Sequence, residues 1–265
     1  MKTSLHVLIL LVFLYGLLCG YIYMIQERFI FFPEKLQKSF TFHFEQAFEE
    51  KFIEMADGTV LHGVLFRSDE PQGIVFYLHG NAGSLASWGY VAEAYTSLNY
   101  DVFIPDYRGF GKSEGSLNGQ KQLFQDMEAL YDVIKRDYPE EQIIVLGYSI
   151  GTGPAAKIAA TNNPRLLILQ VPFYNLTDVM SRYYPFIPTF ILKYRFPTNE
   201  YLPRCKMPVV IFHGDRDEVI DYGSSLKLKE LFKPGDTLIK LQGQGHNGIT
   251  DNSDYRMVLR EILSQ

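Results

Sequence analysis

Apolar and polar positions change rhythm twice along the chain. From Leu5 to Ile25 the sequence runs LHVLILLVFLYGLLCGYIYMI, with no acid or base other than His6. About 20 apolar residues suffice to cross a bilayer as a helix, so residues 5–25 predict a single-pass anchor, with residues 1–27 as the anchor segment. Lys2 precedes the run as it would in a signal peptide, the main alternative, but no small-x-small cleavage site closes it. Leu18 before Cys19 also makes a poor lipoprotein box. Lys2 and the α-amine on one side face Arg28, Lys35 and Lys38 on the other, so the charge count leaves the side of the membrane undecided. The following stretch, QERFIFFPEKL within a lead-in over residues 28–48, reads as an interfacial collar. Phe29, Phe31 and Phe32 are expected at headgroup level, and Pro33 ends any helix.

From residue 49 to the end the rhythm is that of an α/β protein, with short apolar runs alternating with helical patterns. FTFHFEQAFEEKFIEM and TVLHGVLFRS flank the turn pair Asp57-Gly58 and predict an antiparallel hairpin with period-two alternation. The later runs are continuously apolar, as strands buried on both faces should be: GIVFYL, DVFIP, IIVLG, LLILQ, PVVIF and TLIKL. Between them, Gln122 to Arg136 is the clearest helix. Leu123, Met127, Leu130 and Ile134 form its core face, while Asp126, Glu128 and Lys135 are expected on the other. One segment breaks the pattern. Residues 172–208 carry many aromatics and repeated prolines, which predicts a small cap over the sheet edge, or else a long crossover with a buried aromatic face.

Composition narrows the function classes. A chain of 265 residues with 47% apolar content has enough material for one large domain, spanning residues 49–265. A net charge of −5 with no basic block offers no footprint for nucleic acid. The two cysteines, Cys19 in the apolar run and Cys205 far downstream, are not expected to pair.

Chemistry concentrates at LGYSIGTG, Leu146 to Gly153. Ser149 lies between Gly147 and Gly151, after a strand and before the small-residue helix GTGPAAKIAA, which is the setting of a nucleophile elbow. Side chains at either glycine would collide where strand and helix nearly touch, and the serine is forced into a strained backbone region that a merely structural turn would avoid. The helix start also directs its dipole and free N–H groups at developing negative charge. The stretch Gly151 to Ala156 fits a loose dinucleotide fingerprint, but the next strand ends in Gln170, Val171 and Pro172, where that fingerprint needs an acid.

A serine hydroxyl needs a histidine to take its proton and a carboxylate to fix that histidine's tautomer. His6 lies in the anchor, His43 and His62 in the hairpin region, and His79 and His213 end strands as His-Gly pairs with structural work to do. His246 remains, in the loop GQGHNG after the last strand. In IFHGDRDEVID, Asp217 clears the turn after Gly214 and is the preferred acid, with Val219-Ile220 returning to the core. Asp215 is the fallback, and Asp221 is expected to cap a helix starting near Ser224. YLHGNAGS supplies a glycine-rich loop for an oxyanion hole, whose donors are assigned as the backbone N–H groups of Asn81 and Ile150. Trp88 reads as helix packing. PDYRGFGKSEG lacks phosphate-loop spacing and reads as a loop that holds its neighbours through Asp106 and Arg108.

LHGNAGS, PDYRGFGKSEG, LGYSIGTGPA, IFHGDRDEVI and GQGHNG, in this order, resemble the serine α/β-hydrolases, particularly the membrane-anchored subgroup that includes the bud-emergence (BEM-type) proteins. ERFIFFPEKL after an N-terminal span resembles that subgroup too. The resemblance implies an α/β-hydrolase fold: an eight-stranded, mostly parallel sheet flanked by helices. It also implies a triad of Ser149, Asp217 and His246, and neither cofactor nor metal. Related members include esterases, thioesterases and peptidases. The reading adopted is a membrane-tethered serine hydrolase acting on esters or thioesters of small-molecule or lipid-like apolar acyl substrates. A peptidase or amidase is disfavoured because Arg182, Lys193, Arg195 and Arg204 in the cap face Asp178 and Glu200, where an aminopeptidase would want acids. A noncatalytic binding module would lack a triad member.

Overall fold

The computed structural model describes residues 2–264, so Met1 and Gln265, the outermost residues of the predicted anchor and globular spans, lie outside the described residues. In chain order the strands are β1 (Phe32–Pro33), β2 (Phe48–Glu54), β3 (Val60–Phe66), β4 (Gly73–Leu78), β5 (Ala82–Gly83), β6 (Tyr100–Pro105), β7 (Ile143–Tyr148), β8 (Leu166–Gln170), β9 (Val209–Gly214) and β10 (Thr237–Leu241). Eight form one sheet in the order β10-β9-β8-β7-β4-β6-β3-β2. The β2–β3 and β3–β6 pairs are antiparallel and the other five parallel, giving the α/β-hydrolase fold.

The continuous apolar runs have the cause expected of them. Strands β4, β6, β7, β8 and β9 are buried along their whole length, because helices cover both faces of the sheet. One apolar layer joins Phe76, Val145 and Leu169 to helices Gln120–Ile134 and Thr152–Thr161. The other joins Tyr77, Leu146 and Phe212 to Tyr95 and to helix Ser253–Leu263.

Three details depart from the sequence expectations. The hairpin forms, but Phe40–Ala47 is not strand; Phe40, Phe42 and Phe44 pack ring to ring instead, with centroids 5.1 and 5.4 Å apart. Strand β3 does not alternate between core and solvent, since Leu61 and Leu65 enter one apolar layer and Val64 and Phe66 the other. In the helix Gln120–Ile134 the apolar face is as predicted, yet Asp126 is buried rather than solvated, because Arg108 reaches it with two hydrogen bonds of 2.6 and 2.7 Å.

The N-terminal helix Lys2–Ile25 is, over Thr3–Ile25, long and apolar enough to cross a membrane, with mean hydropathy 2.4 and its side chains largely exposed. Within the collar, Phe31 departs from the headgroup placement expected of it. Phe31 is only 4% exposed, its ring 5.0 Å from Tyr194 and 6.4 Å from Phe110, and it belongs to the core of the globular body. Phe32–Pro33 pairs in parallel with Ala82–Gly83, and Asn81 Nδ2 donates to the Ile30 carbonyl at 2.7 Å. Phe29 and Phe32 stay exposed. Phe31 is already extended after the helix ends at Ile30, and Pro33 restricts Phe32 before it to extended backbone as well, so the segment continues as a strand.

The excursion between β8 and β9 holds helix Leu176–Tyr183, two 3₁₀ turns and a short helix Thr198–Tyr201. Its beginning and end pack inward through Phe173, Tyr194, Phe196, Leu202 and Cys205, while its middle stands over the C-terminal ends of the strands. Ion pairs fasten it to the loop and helix after β9, with Arg182 at 3.2 Å from Asp221 and Lys227 at 2.7 Å from Asp178.

Candidate active site

Ser149 sits between β7 and helix Thr152–Thr161 with φ of +52°, a left-handed conformation that is unusual for a residue other than glycine. The flanking glycines are required by contact. A Cβ on Gly147 would lie 2.5 Å from the Gly151 carbonyl oxygen, and one on Gly151 would lie 2.1 Å from that of Leu78. Strand and helix therefore cross too closely for any side chain, and the chain must turn within the serine itself. The strain lifts its hydroxyl clear of both elements.

His246 and Asp217 arrive from separate loops. His246 Nε2 is 3.1 Å from Ser149 Oγ, and His246 Nδ1 is 2.8 Å from Asp217 Oδ2. Asp217 Oδ1 accepts the N–H groups of Val219 and Ile220, each at 2.8 Å. Burial alone would raise the Asp217 carboxyl; hydrogen bonds from His213 and His246, with the Ile220 N–H, overcome it and hold the group well below the ordinary carboxylate range. Asp217 is thus a fixed negative charge behind the imidazole. Ile220 is buried as expected, whereas Val219 is exposed and lines the cavity. Asp215 accepts the Gly243 N–H at 2.7 Å, and Asp221 accepts the Gly223 N–H at 2.9 Å at the start of helix Gly223–Lys229.

Tyr148 and His213 position these groups without having been singled out for it. The Tyr148 hydroxyl donates to the His246 carbonyl at 2.5 Å, and its ring packs edge-on against Trp88 with centroids 5.1 Å apart. His213 Nε2 lies 3.3 Å from Asp217 Oδ2 and 2.9 Å from the Ile220 carbonyl, while Nδ1 is 2.7 Å from Ser225 Oγ. The variable position of the elbow motif, and a histidine four residues before the acid, were the available signals.

Ser149, Asn81 and Ile150 line one cavity of about 420 Å³. Its remaining wall is apolar apart from Gln26: Phe173, Leu176, Val179 and Met180 come from the excursion, while Ile22, Phe29 and Ile30 come from the N-terminal segment. That contribution of the N-terminal segment was not foreseen. Among the described residues, no Asp or Glu lines the cavity.

The remaining motifs are structural. Trp88 Nε1 donates to the Ala82 carbonyl at 2.7 Å, and its ring stacks on buried His79. Asp106 is buried between His62 and His79 at 3.7 and 3.5 Å, and accepts the Leu85 N–H at 3.0 Å. Arg108 binds Asp57 as well as Asp126, so PDYRGFGKSEG joins the hairpin turn to a core helix. Gln170, where a nucleotide site would place an acid, is buried among Tyr77 and Tyr95 hydroxyls. Both cysteines are free thiols. Among the described residues, no group of three or more His, Cys, Asp or Glu side chains could hold a metal ion.

Comparison with known proteins agrees with the fold. Residues 69–200 match the family model described as serine aminopeptidase, S33, a stretch that includes Ser149 and ends before Asp217. Alpha/beta hydrolase domain-containing protein 17B of Homo sapiens is 32% identical over 197 residues, covering 72% of this chain and 66% of the relative. Alpha/beta hydrolase domain-containing protein aho-3 of Caenorhabditis elegans is 32% identical over 194 residues, covering 71% of this chain and 57% of the relative. The chain thus spans less than two thirds of the length of these curated relatives. Among solved structures, an esterase of Pyrococcus furiosus superposes with TM-score 0.69 at 21% identity, covering 88% of this chain and 98% of that one. The thioesterase domain from the curacin biosynthetic pathway does so with TM-score 0.59 at 18% identity, covering 83% of this chain and 100% of that one.

Proposed function

The chain belongs to the α/β-hydrolase superfamily, and from that premise we propose a serine hydrolase that cleaves carboxylic esters or thioesters of apolar acyl groups while tethered to a bilayer by its N-terminal helix. The observation that carries this reading is the chain of contacts from Ser149 Oγ through His246 to Asp217 at the edge of an apolar cavity. In this account residues 49–265 are the hydrolase domain and 172–208 its cap. The tether and the ERFIFFPEKL segment support a place in the bud-emergence subgroup.

The chemistry follows from the geometry. His246 Nε2 takes the proton of Ser149 as the hydroxyl oxygen attacks the acyl carbonyl. Asp217 holds Nδ1–H and stabilises the imidazolium that forms. The carbonyl oxygen gains negative charge, which the backbone N–H groups of Asn81 and Ile150 stabilise, each donor being worth roughly 3 to 4 kcal/mol. His246 returns its proton to the leaving alcohol or thiol, leaving an acyl group on Ser149. Water then attacks that ester by the same route in reverse, giving the free acid and restoring the serine.

The description of the matched family favours an aminopeptidase as second reading. Such an enzyme must hold a substrate ammonium, and the cavity wall carries no carboxylate to do so while presenting abundant apolar surface. The two readings separate by turnover of a long-chain acyl thioester against an aminoacyl anilide. The thioester is expected to be cleaved and the anilide to be left intact. Preference for the anilide would overturn the acyl reading.

A further inference from the structure

The nine residues from Tyr184 to Leu192, YPFIPTFIL, contain no charge and are bracketed by Arg182 on one side and Lys193 on the other. Phe186 is 85% and Phe190 75% exposed, and Tyr184 beside them is also exposed. An aromatic cluster of this kind marks a surface made for a partner. We propose that the partner is the lipid leaflet nearest the globular body: this segment of the cap inserts beside the N-terminal helix, and the acyl chain of the substrate enters the cavity from that leaflet.

Two contacts fix the depth. The Tyr15 hydroxyl donates to the Phe186 carbonyl at 2.6 Å. Tyr15 lies ten residues before the end of its helix at Ile25, which at 1.5 Å per residue is about 15 Å along the axis. Phe186 therefore sits beside the interior of the span rather than its end. At the other extreme Gln26, buried, donates to the Ile191 carbonyl at 3.0 Å and accepts the Lys193 N–H at 2.8 Å. Lys193 Nζ pairs with Glu27 at 3.0 Å, and it lies 4.9 Å from the centre of the Tyr23 ring. Charges thus gather at the level of residues 26–28, and aromatic side chains lie on the membrane side of them, the order expected across a headgroup region.

The backbone of the segment is partly paired within the protein, and unpaired N–H and C=O groups are costly in hydrocarbon. Pro185 and Pro188 have no N–H to satisfy, and those of Tyr184, Ile187, Ile191 and Leu192 donate to nearby carbonyls, while the N–H groups of Phe186, Thr189 and Phe190 have no partner among the described residues. Two carbonyls, of Phe186 and Ile191, are taken by side chains of the N-terminal segment. The cavity wall combines Tyr184 and Ile187 from the inserted segment with Ile22 and Phe29, so its apolar lining continues the surfaces that would face lipid.

The insertion rests on the reading of the N-terminal helix as a membrane anchor, and the substrate route rests in addition on the proposed hydrolase activity; two measurements keep them apart. In the first, full-length Phe186→Trp protein is placed in phosphatidylcholine vesicles, and the signal of residue 186 is taken as the difference from wild type, whose single tryptophan is Trp88. Quenching by acyl-chain doxyl lipids, with little quenching by aqueous iodide, is expected. Quenching by iodide alone overturns the insertion, as does shielding from both reagents with a dimeric mass, which would assign the face to a second copy. In the second, the doubly substituted Phe186→Ser, Phe190→Ser protein is expected to lose about tenfold or more in hydrolysis of a long-chain acyl ester held in vesicles, since the two exposed aromatic side chains that would enter the lipid are removed. Hydrolysis of water-soluble nitrophenyl acetate should stay unchanged. An equal loss on both substrates, or on neither, overturns the membrane route; if wild type cleaves neither, the hydrolase reading fails while lipid quenching still decides the insertion.

Discussion

Asp217 gathers two backbone N–H groups and two imidazoles around a carboxyl that burial alone would neutralise. Its role beside His246 predicts that Asp217→Asn lowers turnover on the order of 10⁴-fold by favouring the wrong imidazole tautomer, checked by steady-state kinetics on an acyl ester. The same environment makes a statement about stability. A carboxyl held below its unfolded-state value near ~4 contributes stability that is complete above that value and is lost as pH falls through the folded value. The advantage of wild type over Asp217→Asn in chemical denaturation is therefore expected to be full at neutral pH and to shrink as the pH drops below ~4. The meeting of Ser149, Asp217 and His246 was legible in the sequence because each follows a strand of the sheet, in a loop that begins at or contains a glycine. His213 and Tyr148 were not legible as positioning residues. Their work depends on distances between loops far apart in the chain, which no local pattern records.

At the level of elements, the segment after the N-terminal helix changes most between sequence and structure. Its phenylalanines resemble an interfacial belt by composition, yet Phe31 fills a site between Phe110 and Tyr194, and Phe32–Pro33 pairs as a strand beside Asn81. The N-terminal helix is thus fixed to the wall of the candidate active site rather than joined by a free linker. Phe31→Ala should cost about 3 to 5 kcal/mol in denaturant unfolding, the usual effect of emptying a buried phenylalanine site. It should also weaken the acyl cavity, which Phe29 and Ile30 line. The parallel strands were readable because double-sided burial leaves continuous apolar runs. Asp126 and the stretch Phe40–Ala47 were not, since a buried ion pair and a chain of ring-to-ring contacts both mimic the polar and apolar alternation of exposed elements.

On the scale of the whole molecule, one apolar surface runs from the N-terminal helix through the excursion between β8 and β9 to Ser149, and the candidate triad lies at its inner end. The apolar N-terminal helix, the aromatic and proline-rich excursion and the elbow were each recognisable as separate sequence features. Their convergence on one cavity was not, because it depends on Gln26 and Asn81 linking segments many residues apart. The central claim is that Ser149 is a nucleophile activated by His246. Its most direct test is to treat the folded full-length protein with a fluorophosphonate and map the adduct by mass spectrometry, beside His246→Ala. The account predicts one phosphonyl group on Ser149 in wild type and none in the variant over the same time; a folded wild-type protein left unmodified, or modified elsewhere, would contradict it.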